Sequence, residues 1–355
     1  KNKSNIKFFK KSKSLPVDEF FKNVLYDNKS GYYVSKLPFG EKGDFITSPT
    51  ISYLFSEIIA IWMVSTWELF GKPKSFNIVE LGPGNGSLTN VLLRSFKKFP
   101  EFNSVKNIFL YEESNYLKKI QKKNILDKNI NWINNFNLIK KGPVIFFGNE
   151  FFDALPIKQF KRKKNSILEK NFILDKSYKI KEIFNKASKN DIKTLKSYKT
   201  LKKLNFIEFP KFGFQELKKM IKKISELKGC ILLVDYGYLK SNNQNTLQSV
   251  MKHKKNNLLD NLGKADITAH VNFDLLNEFF LKNNLKVNNI ISQKEFLENM
   301  GIIERAKIVA KKMKFSQQSD LYLRIKRLLS PRAMGNLFKV ILAYKFKNNN
   351  FAGFK

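Results

Sequence analysis

The sequence predicts an α/β fold, a doubly wound and mostly parallel sheet, and three observations carry that expectation. Short apolar runs at 76–81, 107–111, 144–148 and 231–235 recur along the chain. They are continuous rather than alternating, which is the pattern of strands buried on both faces. Stretches with apolar residues at helical spacing separate them. The first run also ends in a glycine-rich turn that leads straight into one of those helices.

Taken in order, the chain begins with a basic stretch, KNKSNIKFFKKSKS, with no apolar signal-peptide core behind it and no arginine. That composition argues against a secretory leader and against an arginine-rich presequence, and leaves a frayed basic tail as the expectation. Residues 51–70 place Ile51, Leu54, Phe55, Ile58, Ile59 and Trp62 on helical spacing, while Ser52, Glu57 and Glu68 interrupt any membrane-length apolar run. Ser48 reads as an N-cap and Pro49 as the first helical position. The strand at 76–81 is followed by a helix over 87–96. The strand at 107–111 ends in Glu112 and Glu113, and Ser114 caps a helix to about residue 122. Short strands follow at 130–133 and 144–148. Between these and the strand at 231–235 lie hairpin-forming strands over 157–184 and a helix over 214–227. The KRKK run at 161–164 reads as a solvated sheet edge. Residues 242–272 read mostly as loop, and 337–344 as a late, antiparallel edge strand. The organisation expected is an N-terminal helical extension or lid over 1–70 and a core over 71–355. The core carries a substrate-recognition insertion at about 157–212.

Composition narrows the function. The net charge of +36 invites nucleic acid, but sixty of the 66 basic residues are lysine and they are spread along the whole chain. Arginine, the residue suited to bidentate phosphate and base contacts, is scarce, so a solvated basic surface is expected and no specific nucleic-acid partner. The single cysteine, Cys230, precedes an apolar run and reads as core. One cysteine allows no internal disulfide, which suits a reducing compartment. With only His253 and His270 present, a histidine-rich metal site is excluded, no metal is expected, and a Ser/His/Asp triad has little to work with.

The chemistry concentrates at strand ends. In Glu80–Gly86, ELGPGNG, the glycines Gly82, Gly84 and Gly86 follow a strand and precede a helix. Such a turn lets backbone approach a ligand, and the helix N-terminus offers free N–H groups. A dinucleotide loop wants Gly-x-Gly-x-x-Gly, and its last position here is Ser87. The observed Glu-x-Gly-x-Gly-x-Gly is the form usual in class I methyltransferases, which makes S-adenosyl-L-methionine the expected cofactor. The plain alternative is a structural turn. Glu112, at the end of the second strand, stands where an acid accepts the ribose hydroxyls of an adenosine, or else caps the next helix. Asn149, Glu150 and Asp153, in NEFFD at the end of the fourth strand, fit a site acting on nitrogen. An amide oxygen or carboxylate aims the target nitrogen, and the aromatics exclude water. The alternative there is a helix cap over buried phenylalanines. Asp235 ends the fifth strand, and Asp266 and His270 follow in a loop; these three are the expected substrate-binding residues. For His270 a structural hydrogen bond is the stronger reading.

Several blocks occur in order: SGYY at 30–33, GDFITSP at 43–49, ELGPGNG, NEFFDALP at 149–156, VDYGY at 234–238, ADITAHVNF at 265–273 and MGNLFKV at 334–340. In these the chain resembles the MidA family of class I, Rossmann-like methyltransferases from about residue 15 to 345. Thr50, Ser56 and Asn245 depart from the family pattern, which has glutamate, glycine and glycine there. The resemblance implies S-adenosylmethionine-dependent methylation of an arginine nitrogen in a protein, with symmetric dimethylarginine as product. A respiratory complex I subunit is then the expected partner, and the bacterial cytoplasm or the mitochondrial matrix the expected location, not the secreted space. The resemblance leaves oligomeric state open. The rival readings are a non-catalytic complex I assembly chaperone, a methyltransferase for RNA or another nitrogen substrate, and a dehydrogenase, against which the glycine spacing argues.

Overall fold

The computed structural model describes residues 2–10, 12–27, 29–35, 47–127, 129–164 and 166–354. Residues 36–46, which include 43–46 of the GDFITSP block and a middle part of the expected lid, therefore lie outside the described residues. The chain forms two compact units. One comprises Ile46–Phe151, Lys219–Gly237 and Phe280–Lys355; the other comprises Lys1–Phe45, Phe152–Lys218 and Tyr238–Phe279.

The first unit holds the doubly wound sheet. Its strands are β1 (Phe76–Leu81), β2 (Lys106–Tyr111), β3 (Ile130–Ile133), β4 (Val144–Asn149), β5 (Gly229–Tyr238, to Gly237 in this unit) and β6 (Phe338–Lys345). They lie in the order β3-β2-β1-β4-β5-β6. β1 to β5 run parallel, and β6 runs antiparallel to β5. Every residue of β1 is buried, as expected of a strand with neighbours on both edges and cover on both faces. The late strand is antiparallel as expected but is not the edge. Lys286–Val287 and Ile291–Ser292 pair with its other side, two-residue strands too short to leave a periodic signal.

Helix α1 (Tyr53–Leu69) is capped by Ser52, whose hydroxyl accepts the Leu54 N–H at 3.2 Å. The expected cap at Ser48 is not made. Ser48 lies inside a short helical turn, Ser48–Ile51, and its hydroxyl donates to Gln293 Oε1 at 3.1 Å. Helices α2 (Ser87–Phe96) and α3 (Asn115–Asn124) follow β1 and β2, and Ser114 caps α3 as its sequence indicates, accepting the Leu117 N–H. Helices α4 (Ile302–Ala310) and α5 (Phe315–Leu329) complete the layer that buries Leu321, Ile325 and Leu328 with α1. Cys230 is buried in β5.

The second unit is built on an antiparallel sheet in the order Ser14–Pro16, Ser166–Leu174, Lys158–Lys163, Phe206–Phe209, with Ile180–Lys186 also on Ser166–Leu174. The KRKK run is not an edge. Lys161 pairs with Leu168 on one side and Phe206 on the other, so the charges mark a solvated face of a central strand. The N-terminal stretch is not a frayed tail, because Phe8 and Phe9 are buried and Phe9 packs on Phe20 at 5.5 Å. Residues 242–272 are mostly loop, as expected, but not wholly so. They contain a three-stranded sheet of Lys254–Asn256, Gln248–Met251 and Asp266–Thr268, strands of three or four residues that alternate too briefly to be read.

Candidate active site

The order of the sheet reverses between β1 and β4, and an open α/β sheet binds its ligand outside the carboxyl ends of the strands at that point. The pairing of Leu81 with Gly148 puts ELGPGNG and the Asn149–Phe151 part of NEFFD at this one edge. Gly82, Gly84 and Gly86 adopt φ of 60°, 56° and 81°. At Gly86 the requirement is double, since a Cβ there would also lie 2.8 Å from Ile125 Cδ1. A Cβ on Gly82 would meet the Phe151 ring at 3.2 Å, so the aromatic of NEFFD closes against the glycine loop.

Glu80 is buried beneath the loop and accepts the Thr89 hydroxyl at 2.5 Å. Burial pushes its carboxyl up to about 7. At the end of β2, Glu112 is buried, accepts the Ser114 N–H at 2.8 Å and the Gln121 amide at 3.1 Å, and is raised by burial against those bonds. Gln121 was not among the expected site residues. It is fully buried, and its amide nitrogen also donates to the Gly84 carbonyl at 2.8 Å while its oxygen accepts the Trp132 indole at 3.0 Å. One side chain thus ties the glycine loop to the acid of β2. Asn124, one turn on, donates to the Asn85 carbonyl at 3.0 Å. The sequence signal was a glutamine one turn from Leu117, on the buried stripe of α3.

At the end of β4, Glu150 is held in the left-handed region at φ 50°, a conformation that costs a non-glycine residue about 1–3 kcal/mol and clusters at functional sites. Its N–H continues the ladder to the Val234 carbonyl at 2.9 Å. Its Oε1 accepts the Asn149 amide at 3.2 Å and the Ser48 N–H at 3.4 Å. Asn149 Oδ1 is buried and has no hydrogen-bond partner among the described residues. A buried acceptor left open is costly, and such a group asks for a donor from a ligand. Asp235, at the end of β5, is buried and accepts the Tyr236 N–H at 2.9 Å.

The first unit therefore brings together Glu80, Gly82, Gly84, Gly86, Glu112, Asn149, Glu150 and Asp235. The remaining expected residues, Asp153, Asp266 and His270, belong to the second unit. There Asp266 is in a strand, not a loop, and receives the Tyr33 hydroxyl on both oxygens at 3.0 and 3.1 Å. Burial raises the Tyr33 hydroxyl well above its ordinary value, and the charges of Asp266 and Asp153 add to this. The His270 imidazole is lowered by burial, and the His270 backbone N–H donates to the Thr246 hydroxyl at 3.0 Å.

Glycines that leave a cradle, a carboxylate at the end of β2 and an open polar acceptor at the end of β4 define a methyltransferase of the doubly wound α/β class. They fit S-adenosyl-L-methionine, which the Gly82–Gly86 backbone and Glu112 would hold. Residues 58–291 match the family described as "Putative S-adenosyl-L-methionine-dependent methyltransferase". The chain is 30% identical over 350 residues to the protein arginine methyltransferase NDUFAF7, mitochondrial, of Xenopus tropicalis, spanning 92% of this chain and 81% of that one. To the Homo sapiens protein of the same name it is also 30% identical over 350 residues, spanning 91% and 78%. In fold it matches a candidate methyl transferase from Burkholderia thailandensis, crystallised with S-adenosyl-homocysteine, with a TM-score of 0.83 at 21% identity over 99% of this chain and 93% of that one. The chain belongs to this MidA-like family of S-adenosyl-L-methionine-dependent methyltransferases. No helix among the described residues is long and apolar enough to cross a membrane.

Proposed function

We propose that the chain methylates an arginine nitrogen of a protein, forming symmetric dimethylarginine, and that its substrate is a respiratory complex I subunit, in a bacterial cytoplasm or a mitochondrial matrix. The observation that carries the reading is the open Asn149 Oδ1 beside Glu150, at the same sheet edge as the glycine loop. The cofactor, when bound, supplies an already activated methyl group. The chain has to hold the nucleophile in line and keep water away. A guanidinium is a poor nucleophile because its lone pair is delocalised. Glu150 would localise its positive charge on the far nitrogens and receive the proton lost on transfer. Asn149 Oδ1 would accept an N–H and fix the rotation of the group, and Phe151, against Gly82, would shield it. The names of the curated relatives support arginine as the target, and the resemblance of the ordered blocks supports complex I.

The test is Glu150→Gln, assayed by labelled methyl transfer into protein and by calorimetry with S-adenosylmethionine. Transfer should fall by at least about a hundredfold, as for loss of a general base, with cofactor affinity kept. Unchanged turnover would remove Glu150 from the chemistry, and loss of cofactor binding would assign it to the cofactor instead.

A further inference from the structure

Two grooves in the first unit share Tyr53, Val91 and Met313, and so form one trough of about 750 Å³ and 600 Å³ in its two parts. One end is lined by Pro49, Thr50 and Ser87. Ser87 is the first residue of α2, directly after the glycine loop, and Pro49 follows Ser48, whose N–H reaches Glu150. The trough thus leads away from the proposed methyl-transfer site, between α1 and α2 on one side and α4 and α5 on the other. Its floor is apolar, with Val309 and Ile51 beside the shared residues, and Ile308 on its wall is 55% exposed.

The charge of the trough is one-sided. Three of the chain's six arginines, Arg94, Arg305 and Arg324, line it, together with Lys312. In a chain with sixty lysines this concentration singles the trough out. Arg305 and Arg324 are used internally. Arg305 pairs with Glu57 at 2.9 Å, and Arg324 pairs with Asp320 at 2.8 Å and donates to the Ile51 carbonyl at 3.0 Å, which fixes the walls. Those pairs consume the two carboxylates of the trough. Arg94 lies over the Tyr53 ring at 5.8 Å, and neither it nor Lys312 has a carboxylate partner among the described residues. Two cations over an apolar floor complement a segment of opposite charge.

We infer that this trough docks an acidic, apolar segment of the protein substrate, adjoining the target residue; the inference rests on the reading of the chain as a protein methyltransferase. Substrate recognition is then carried by the helical layer of the first unit and not by the 157–212 insertion alone.

The probe is a short fluorescein-labelled peptide with one central arginine flanked by leucine and aspartate, compared with one in which lysine replaces aspartate. Anisotropy measures binding to the full chain, to Arg94→Glu/Lys312→Glu, and to Lys218→Glu/Lys222→Glu, an equal charge change on exposed residues of the helix Lys211–Leu227. The acidic peptide should bind in a salt-sensitive way. It should lose at least about tenfold in affinity in the trough variant and change little in the control variant. Arg94→Gln, a milder change, should give a smaller loss in the same direction and serves if the double variant does not fold. Equal binding of both peptides, or equal losses in trough and control variants, would overturn the inference. Calorimetry with S-adenosylhomocysteine and methyl transfer to the peptide run alongside. Selective binding without transfer counts against arginine methylation and leaves the trough standing, whereas transfer that the trough variant does not slow counts against the trough alone.

Discussion

Replacing Gln121 with leucine tests whether the cofactor loop is assembled as its geometry indicates. Gln121 makes three side-chain hydrogen bonds, to the Gly84 carbonyl, to Glu112 and from Trp132. Leucine fills a similar volume and makes none of them. The Trp132 side chain is only half-buried, so water replaces that bond at small cost. The bond to Glu112 involves a charged acceptor and is worth about 1.5–3 kcal/mol; the bond to Gly84 is worth about 1 kcal/mol. The folded chain should therefore lose about 2.5–4 kcal/mol. Only the part that orients Gly84 and Glu112 toward the cofactor appears in binding. If that is half, affinity for S-adenosylmethionine falls by about tenfold to thirtyfold. Calorimetry on the variant, with circular dichroism to confirm folding, measures it. Gln121→Glu sharpens the test, because it keeps an acceptor for Trp132 but sets a carboxylate against Glu112, and should bind worse than the leucine variant. Affinity within about twofold of the parent in both variants would refute the role given to Gln121, and with it the claim that α3 sets the shape of the loop.

Two further predictions concern buried charge. Glu80 binds its proton more tightly in the fold, at about 7, than in the unfolded chain, at its ordinary 4.5. Its contribution to stability is therefore most favourable at low pH and declines as pH rises between those values, by up to about 3 kcal/mol. Glu80→Gln should remove that decline, so the variant should gain on the parent between about pH 5 and pH 8 in urea unfolding; parallel pH profiles would contradict the burial argument. In the second unit, Lys158 is nearly buried among Asp18 at 3.5 Å, Asp191 at 3.9 Å and Glu169, which it bonds directly. Lys158→Met leaves Asp18 and Glu169 without their cation, Asp191 keeping Lys211 at 2.8 Å, and should cost about 3–5 kcal/mol, read as a lower denaturant midpoint. A midpoint shift worth less than about 1 kcal/mol would show that the cluster is solvated as a surface pair is.

The parallel strands were legible because burial on both faces forces continuous apolar runs, and the glycine loop was legible because its backbone conformations exclude side chains. What was not legible has equally physical causes. Gln121 sits in a polar run, KKIQKKN, where nothing but its one-turn spacing from Leu117 says it faces inward. The KRKK run was read as an edge because charge reports a solvated face, and a central strand of a one-sided sheet has such a face too. Ser48 was read as a cap because serine before proline usually caps, yet Gln293, far along the chain, takes its hydroxyl. The open Asn149 oxygen follows the same rule. Sequence located the residue, but its lack of a partner is a property of everything packed around it. These corrections share a direction: local patterns named the elements, while long-range partners decided what each polar group does. On the proposed function, the contrast between Glu112, bonded on both oxygens, and Asn149, open on its single oxygen, would separate the side chain that holds the cofactor from the one that waits for the substrate.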